Sequence, residues 1–101
     1  MNIISSTVGT AAVLALSGRF DFSAHRDFRG AYNNALQNAA IQEIVIDFAK
    51  ADYMDSSALG MLLLLRQGAE EAKKTVVLRG AVGSVRKVLE IANFEKLFKV
   101  E

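Results

Sequence analysis

Ile44-Val45-Ile46-Asp47-Phe48, followed after a polar crossing from Lys50 to Asp55 by Ser56-Ser57-Ala58-Leu59-Gly60-Met61-Leu62-Leu63-Leu64-Leu65, is the stretch that decides the fold. The first segment is too short and too β-branched for a helix and reads as a buried central strand. The second opens on residues that favour helix starts and reads as a helix from about Ser56 to Lys74. Its first turns are apolar on nearly every side, so that half must be buried or held against a partner. Arg66, Gln67, Glu70, Glu71, Lys73 and Lys74 solvate the rest.

Working toward the N-terminus, apolar residues recur from Ser23 at Ala24, Phe28, Ala31, Tyr32, Ala35, Leu36 and Ala39, the three-and-four spacing of one helical face. Ser23 is the expected N-cap, with Asp27 in a first turn that favours negative charge. Ala11 to Leu16 reads as a strand closed by a turn at Ser17-Gly18, with Ile3-Ile4 as a short partner strand before Gly9. Toward the C-terminus, Thr75-Val76-Val77-Leu78 is a further strand. Ser84 then opens a third helix with Val85, Val88, Leu89 and Ala92 inward. Asn93 suits the left-handed conformation that ends a helix, after which Phe94, Leu97 and Phe98 return to the core.

Strands alternating with helices predict an α/β fold: a mixed sheet with right-handed crossovers. The 101 residues show no repeat or linker and read as one domain over 1–101, with short connections that favour rigidity over closing lids. Hydrophobic residues at 51% and charged residues at 23% exclude a disordered tail. The absence of cysteine removes disulfides, thiolate metal sites and cysteine nucleophiles. A net charge of +1, with four basic and six acidic residues in 1–55 and eight basic and five acidic in 56–101, provides no field for nucleic acid or membrane binding. The N-terminus lacks a cationic n-region, and the apolar block at 58–65 is far short of the roughly 20 residues that span a bilayer. A cytoplasmic location is therefore expected.

The chemistry-bearing residues concentrate at Asp55-Ser56-Ser57. One of the three suffices to cap the helix, so three candidates exceed what capping requires. A phosphate on Ser56 would sit at the helix N-terminus, where free N–H groups and the macrodipole tolerate an anion. It would add about −1.5 to −2 charges beside Asp55. A serine hydrolase would have only His25 as its base, and the Gly-x-Ser-x-Gly elbow is missing. Gly80 and Gly83 lack the Lys-Ser or Lys-Thr of a phosphate loop. Asp21, Asp47, Asp52 and Asp55 could gather at one end of the sheet, but short loops leave little room for a cleft around them. No catalysis, metal or cofactor is expected.

Asp55-Ser56-Ser57-Ala58-Leu59-Gly60 resembles the STAS family, and within it the stand-alone bacterial anti-sigma factor antagonists. Gly18-Arg19-Phe20-Asp21 is similar to the family's Gly-x-Leu-Asp turn, and Ile44 to Phe48 to its central strand. Leu89 to Val100 is similar to its terminal helix and strand, with Asn93 where the family usually has Gly. Ala58 likewise stands where the familiar pattern has Gly, its methyl expected near the partner surface. The resemblance implies four to five strands packed with about four helices, and a domain that works by partner switching. A monomer is expected, because one core and one transient interface consume the apolar surface. Ser56, the first hydroxyl after the Asp, would be phosphorylated by an anti-sigma factor or related serine kinase and restored by a serine phosphatase. Unphosphorylated, the protein would sequester its partner through Asp21, Asp55, Ser56, Ser57, Ala58 and Leu59. Relatives of this kind also act on regulators of motility, biofilm or secretion. The alternative implied by the family is an accessory STAS subunit of a lipid-handling ABC transporter.

Overall fold

A computed structural model describes residues 1–101. The chain forms β1 (Asn2–Val8), β2 (Ala11–Phe20), a 3-10 turn (Phe22–Ala24), α1 (His25–Gln37), β3 (Glu43–Met54), α2 (Ser56–Glu71), β4 (Thr75–Arg79), α3 (Gly83–Ile91), a second 3-10 turn (Phe94–Lys96) and β5 (Lys99–Val100). The five strands lie side by side in chain order. β1 and β2 pair antiparallel, and β2 through β5 run parallel. Because each parallel crossover steps in the same direction, the right-handedness general to such connections puts α1, α2 and α3 on one face of the sheet. Three α-helices and two 3-10 turns replace the four helices expected. None of the helices is long and apolar enough to cross a membrane.

The helical face carries the main core, in which Phe20, Phe28, Phe48, Leu14, Ile44, Ile46, Leu62 and Leu65 are essentially inaccessible. Phe20 bridges the elements, its ring centroid 4.9 Å from that of Phe28 on α1 and 6.2 Å from that of Phe48 on β3. The opposite face carries a row of three valines, Val13, Val45 and Val77, one from each central strand.

Several elements run further than their sequence suggests. β1 spans seven residues rather than the Ile3-Ile4 pair. Ser17-Gly18 does not close β2; the strand continues to Phe20 through register shifts at Ala15/Ser17 and Gly18/Arg19, with Gly18 at φ +91°, a backbone state that L side chains rarely adopt. The crossing from Lys50 is also strand, pairing Ser17 with Lys50, Gly18 with Ala51 and Arg19 with Tyr53. These paired extensions bring the ends of β2 and β3 together at Phe20 and Met54.

The helix boundaries also move. Ser23 does not cap α1, because Asp21 draws it into the 3-10 turn and α1 begins at His25 without a side-chain cap. α2 stops at Glu71 rather than Lys74, and Lys73 takes φ +60°. That turn sends the Lys74 ammonium to the carbonyls of Asn38 and Ile41. α3 opens at Gly83 after Val82, not with Ser84 as a cap. Asn93 does adopt the left-handed conformation, at φ +59°. Leu97, expected in the core, is 39% exposed, while Phe94 and Phe98 are buried.

Candidate functional site

The paired ends of β2 and β3 deliver two similar junctions side by side. At the end of β3, Asp55 leaves the strand in extended conformation and becomes the N-cap of α2. Its Oδ1 accepts from the backbone N–H of Ala58 at 3.2 Å and from the Ser57 hydroxyl at 2.6 Å. Two of the three polar side chains at this junction are thereby committed to each other. Ser56 is exposed, and its hydroxyl makes no hydrogen bond within the chain. It occupies the first helical position, at the positive end of the helix dipole.

At the end of β2, Asp21 makes the matching contacts with Ser23, accepting from its backbone N–H at 3.0 Å and from its hydroxyl at 2.5 Å. Arg19 lies 3.6 Å from the other carboxylate oxygen. The Ser23 hydroxyl foremost, aided by its N–H and by Arg19 and opposed by some desolvation, holds the Asp21 carboxyl below its ordinary pKa. Arg19 also sits over the Tyr53 ring, 4.0 Å from its centroid, tying β2 to the end of β3.

Of the residues expected to meet a partner, Asp21, Asp55, Ser56 and Ser57 lie at this end of the sheet. Leu59 is half-buried against the core. Ala58 is fully buried, at 0% exposure, so its methyl faces the core and not the surface. The reason is helical geometry: with Asp55 capping, the position three residues on turns toward the sheet, in line with Met61, Leu62 and Leu65. Leu63 and Leu64 take the outward side of the same apolar run, 41% and 50% exposed. Asp47 does not join Asp21 and Asp55; it pairs with Arg79 at 3.6 Å on the helix-free face.

Two residues passed over in the sequence follow the strands on either side of β3. Phe22 comes after β2 and Asp21, 71% exposed and stacked on His25 at 5.7 Å between ring centroids. Val82, 60% exposed, comes after β4. The repeated Asp-x-Ser spelling of Asp21-Phe22-Ser23 and Asp55-Ser56-Ser57 was the available signal for Phe22. A cleft of about 330 Å³ lies elsewhere, between α3 and β5, lined by Arg86, Leu89 and Glu90 among others.

A hydroxyl-bearing helix start at the carboxyl ends of parallel strands, with helices on one side of a five-stranded mixed sheet, defines the class. Residues 5–100 match the family described as "Mlab, STAS domain", and the chain belongs to the STAS-domain family. It is 44% identical over 97 residues to a STAS-domain containing protein of Pseudomonas aeruginosa strain UCBPP-PA14, covering 96% of this chain and 94% of that protein. Its fold is that of the anti-sigma factor antagonist SpoIIAA in its unphosphorylated form, with TM-score 0.76, 22% identity, and coverage of 99% of this chain and 87% of that one. The phosphorylated form of the Bacillus cell fate determinant SpoIIAA matches with the same TM-score at 21% identity, covering 99% of this chain and 91% of that one.

Proposed function

We propose that the chain is an anti-sigma factor antagonist working by partner switching, with Ser56 as the phosphate acceptor. The observation that carries this reading is the free, exposed Ser56 hydroxyl at a junction whose other two polar side chains are spent on each other. A kinase can reach Ser56 without breaking the cap, whereas Ser57 must first leave Asp55. A phosphate at the start of α2 keeps favourable company with the helix N-terminus, so the fold tolerates it. An interface does not. The modification sets about −1.5 to −2 charges next to Asp55, and burying that charge without a matching cation costs several kcal/mol. A loss of about 3 kcal/mol weakens binding more than a hundredfold. That is a sufficient on–off ratio for sequestration and release.

The partner is an anti-sigma factor or a related serine-kinase regulator, opposed by a serine phosphatase. Asp21, Asp55 and Ser57 shape the polar side of the docking surface, and Phe22 supplies its exposed apolar part. The domain lends a surface and a phosphorylatable group; catalysis belongs to the kinase and phosphatase. Its setting is the cytoplasm, where ATP and such kinases reside.

The test is phosphorylation with ATP by a purified candidate serine kinase of the anti-sigma factor type, followed by fragmentation mass spectrometry and a pull-down of that kinase. One phosphate on Ser56, absent in Ser56→Ala and retained in Ser57→Ala, supports the reading. Labelling of Ser57 alone, or no labelling, overturns it. A stable stoichiometric complex with an ABC-type ATPase, indifferent to Ser56→Asp, would instead establish the transporter-accessory role.

A further inference from the structure

The geometry points to β1 as a self-association edge, at which a second copy of this chain adds its own β1 antiparallel to form a continuous ten-stranded sheet. β1 has only one neighbour, β2, so its outer side presents unpaired backbone N–H and C=O groups. It is seven residues long and pairs with β2 residue for residue from Asn2↔Ser17 to Val8↔Ala11, with no bulge to twist the edge away. Asn2-Ile3-Ile4-Ser5-Ser6-Thr7-Val8 contains no charged residue and no proline, the devices that ordinarily blunt an edge. The other edge differs. β5 has two residues, Lys99 and Val100, with Glu101 immediately after them.

The side chains of β1 favour a copy of itself as the occupant. Ile3 turns toward the helical face and packs against the main core. Ile4 and Val8 turn to the helix-free face, where they are 60% and 67% exposed. A two-fold axis through Ser6 would set Ile4 opposite the second copy's Val8, and Val8 opposite its Ile4. Both apolar contacts form at once, because antiparallel pairing about a two-fold makes every contact occur twice. A strand bearing net charge would repel its own copy in this arrangement; this one carries none. The pairing runs along the side of the sheet and leaves the Ser56 junction, at the ends of β2 and β3, uncovered. This association differs from the monomer that the sequence alone suggests, and it does not depend on the partner-switching reading.

Sedimentation equilibrium on the full chain from about 10 μM to about 1 mM tests the proposal. The expected result is a concentration-dependent rise from the 11.0 kDa chain mass toward twice that value. Ile4→Lys/Val8→Lys places lysine opposite lysine at both contacts and should weaken association at least about tenfold. Ile4→Glu/Val8→Glu should do the same, and mixing the two variants should restore a dimer through opposite charges. Circular dichroism establishes that both variants are folded. A wild-type chain that stays at 11.0 kDa throughout overturns the proposal, without recourse to any variant. A dimer that the lysine variant leaves intact overturns it as well, by locating the contact on another surface.

Discussion

Asp21-Phe22-Ser23 and Asp55-Ser56-Ser57 end neighbouring parallel strands, and in both the aspartate accepts a short hydrogen bond from the serine two residues on. Their backbones then part. Asp55 also takes the N–H three residues on and starts α2 directly, whereas Asp21 takes the N–H two residues on and makes a 3-10 turn, so α1 begins later without a side-chain cap. The middle residue is projected outward in each case, an aromatic ring in one and a hydroxyl in the other. One local device therefore presents two kinds of surface: an exposed aromatic ring at Phe22 and an exposed hydroxyl at Ser56.

The sharpest way to separate the two junctions is to alter only their middle residues. Ser56→Asp should lower affinity for the kinase or regulator more than about a hundredfold by calorimetry. Its unfolding free energy should stay within about 0.5 kcal/mol of wild type, because the side chain is exposed. Phe22→Ser makes the first junction read Asp-Ser-Ser like the second. It should cost about tenfold in the same affinity, the scale of a partly exposed aromatic anchor. Should the hydroxyl introduced by Phe22→Ser accept phosphate as readily as that of Ser56, the difference in backbone geometry would carry no specificity.

Smaller effects should follow from the aspartates. Asp55→Ala removes the cap of a 16-residue helix and should destabilise by about 1 kcal/mol in urea unfolding. Asp21→Ala should cost less, because it closes a 3-10 turn of three residues rather than capping α1. Equal losses would break the distinction between them. The smallest expected effect is in pH. The Asp21 carboxyl is held below 3.8 in the folded chain, so its contribution is fully present above that value and disappears as pH falls through the lowered one. The stability gap between wild type and Asp21→Asn should therefore hold steady from neutral pH down to about pH 5 and shrink as pH falls below about 4.

Much of this architecture is legible along the chain, for local reasons. β-branched runs such as Ile44 to Ile46 and the helical spacing of Phe28, Tyr32 and Ala35 betray their elements because period and burial go together. Asp55 as a cap needs only its own neighbours, and Asn93 ends α3 through its own backbone preference. The misread boundaries at the ends of β2 and β3 have one cause. Ser17-Gly18 and Lys50-Ala51 look like turn and loop in isolation, yet pair with each other as strand once β2 and β3 meet. Local composition cannot reveal a partner from a distant part of the chain.

The alternation of strands and helices, the capped start of α2 and the concentration of hydroxyls there are written into the amino-acid order, since each depends on residues within a turn or two of one another. The pairing of Phe20 with Met54, which brings Asp21 beside Asp55, exists only once the chain has folded. So do the inward turn of Ala58 beside a free Ser56, and the sheet face and long edge that no helix covers. Those outcomes depend on which strands lie side by side and on the hand of the crossovers, and both arise from long-range packing rather than from any single segment.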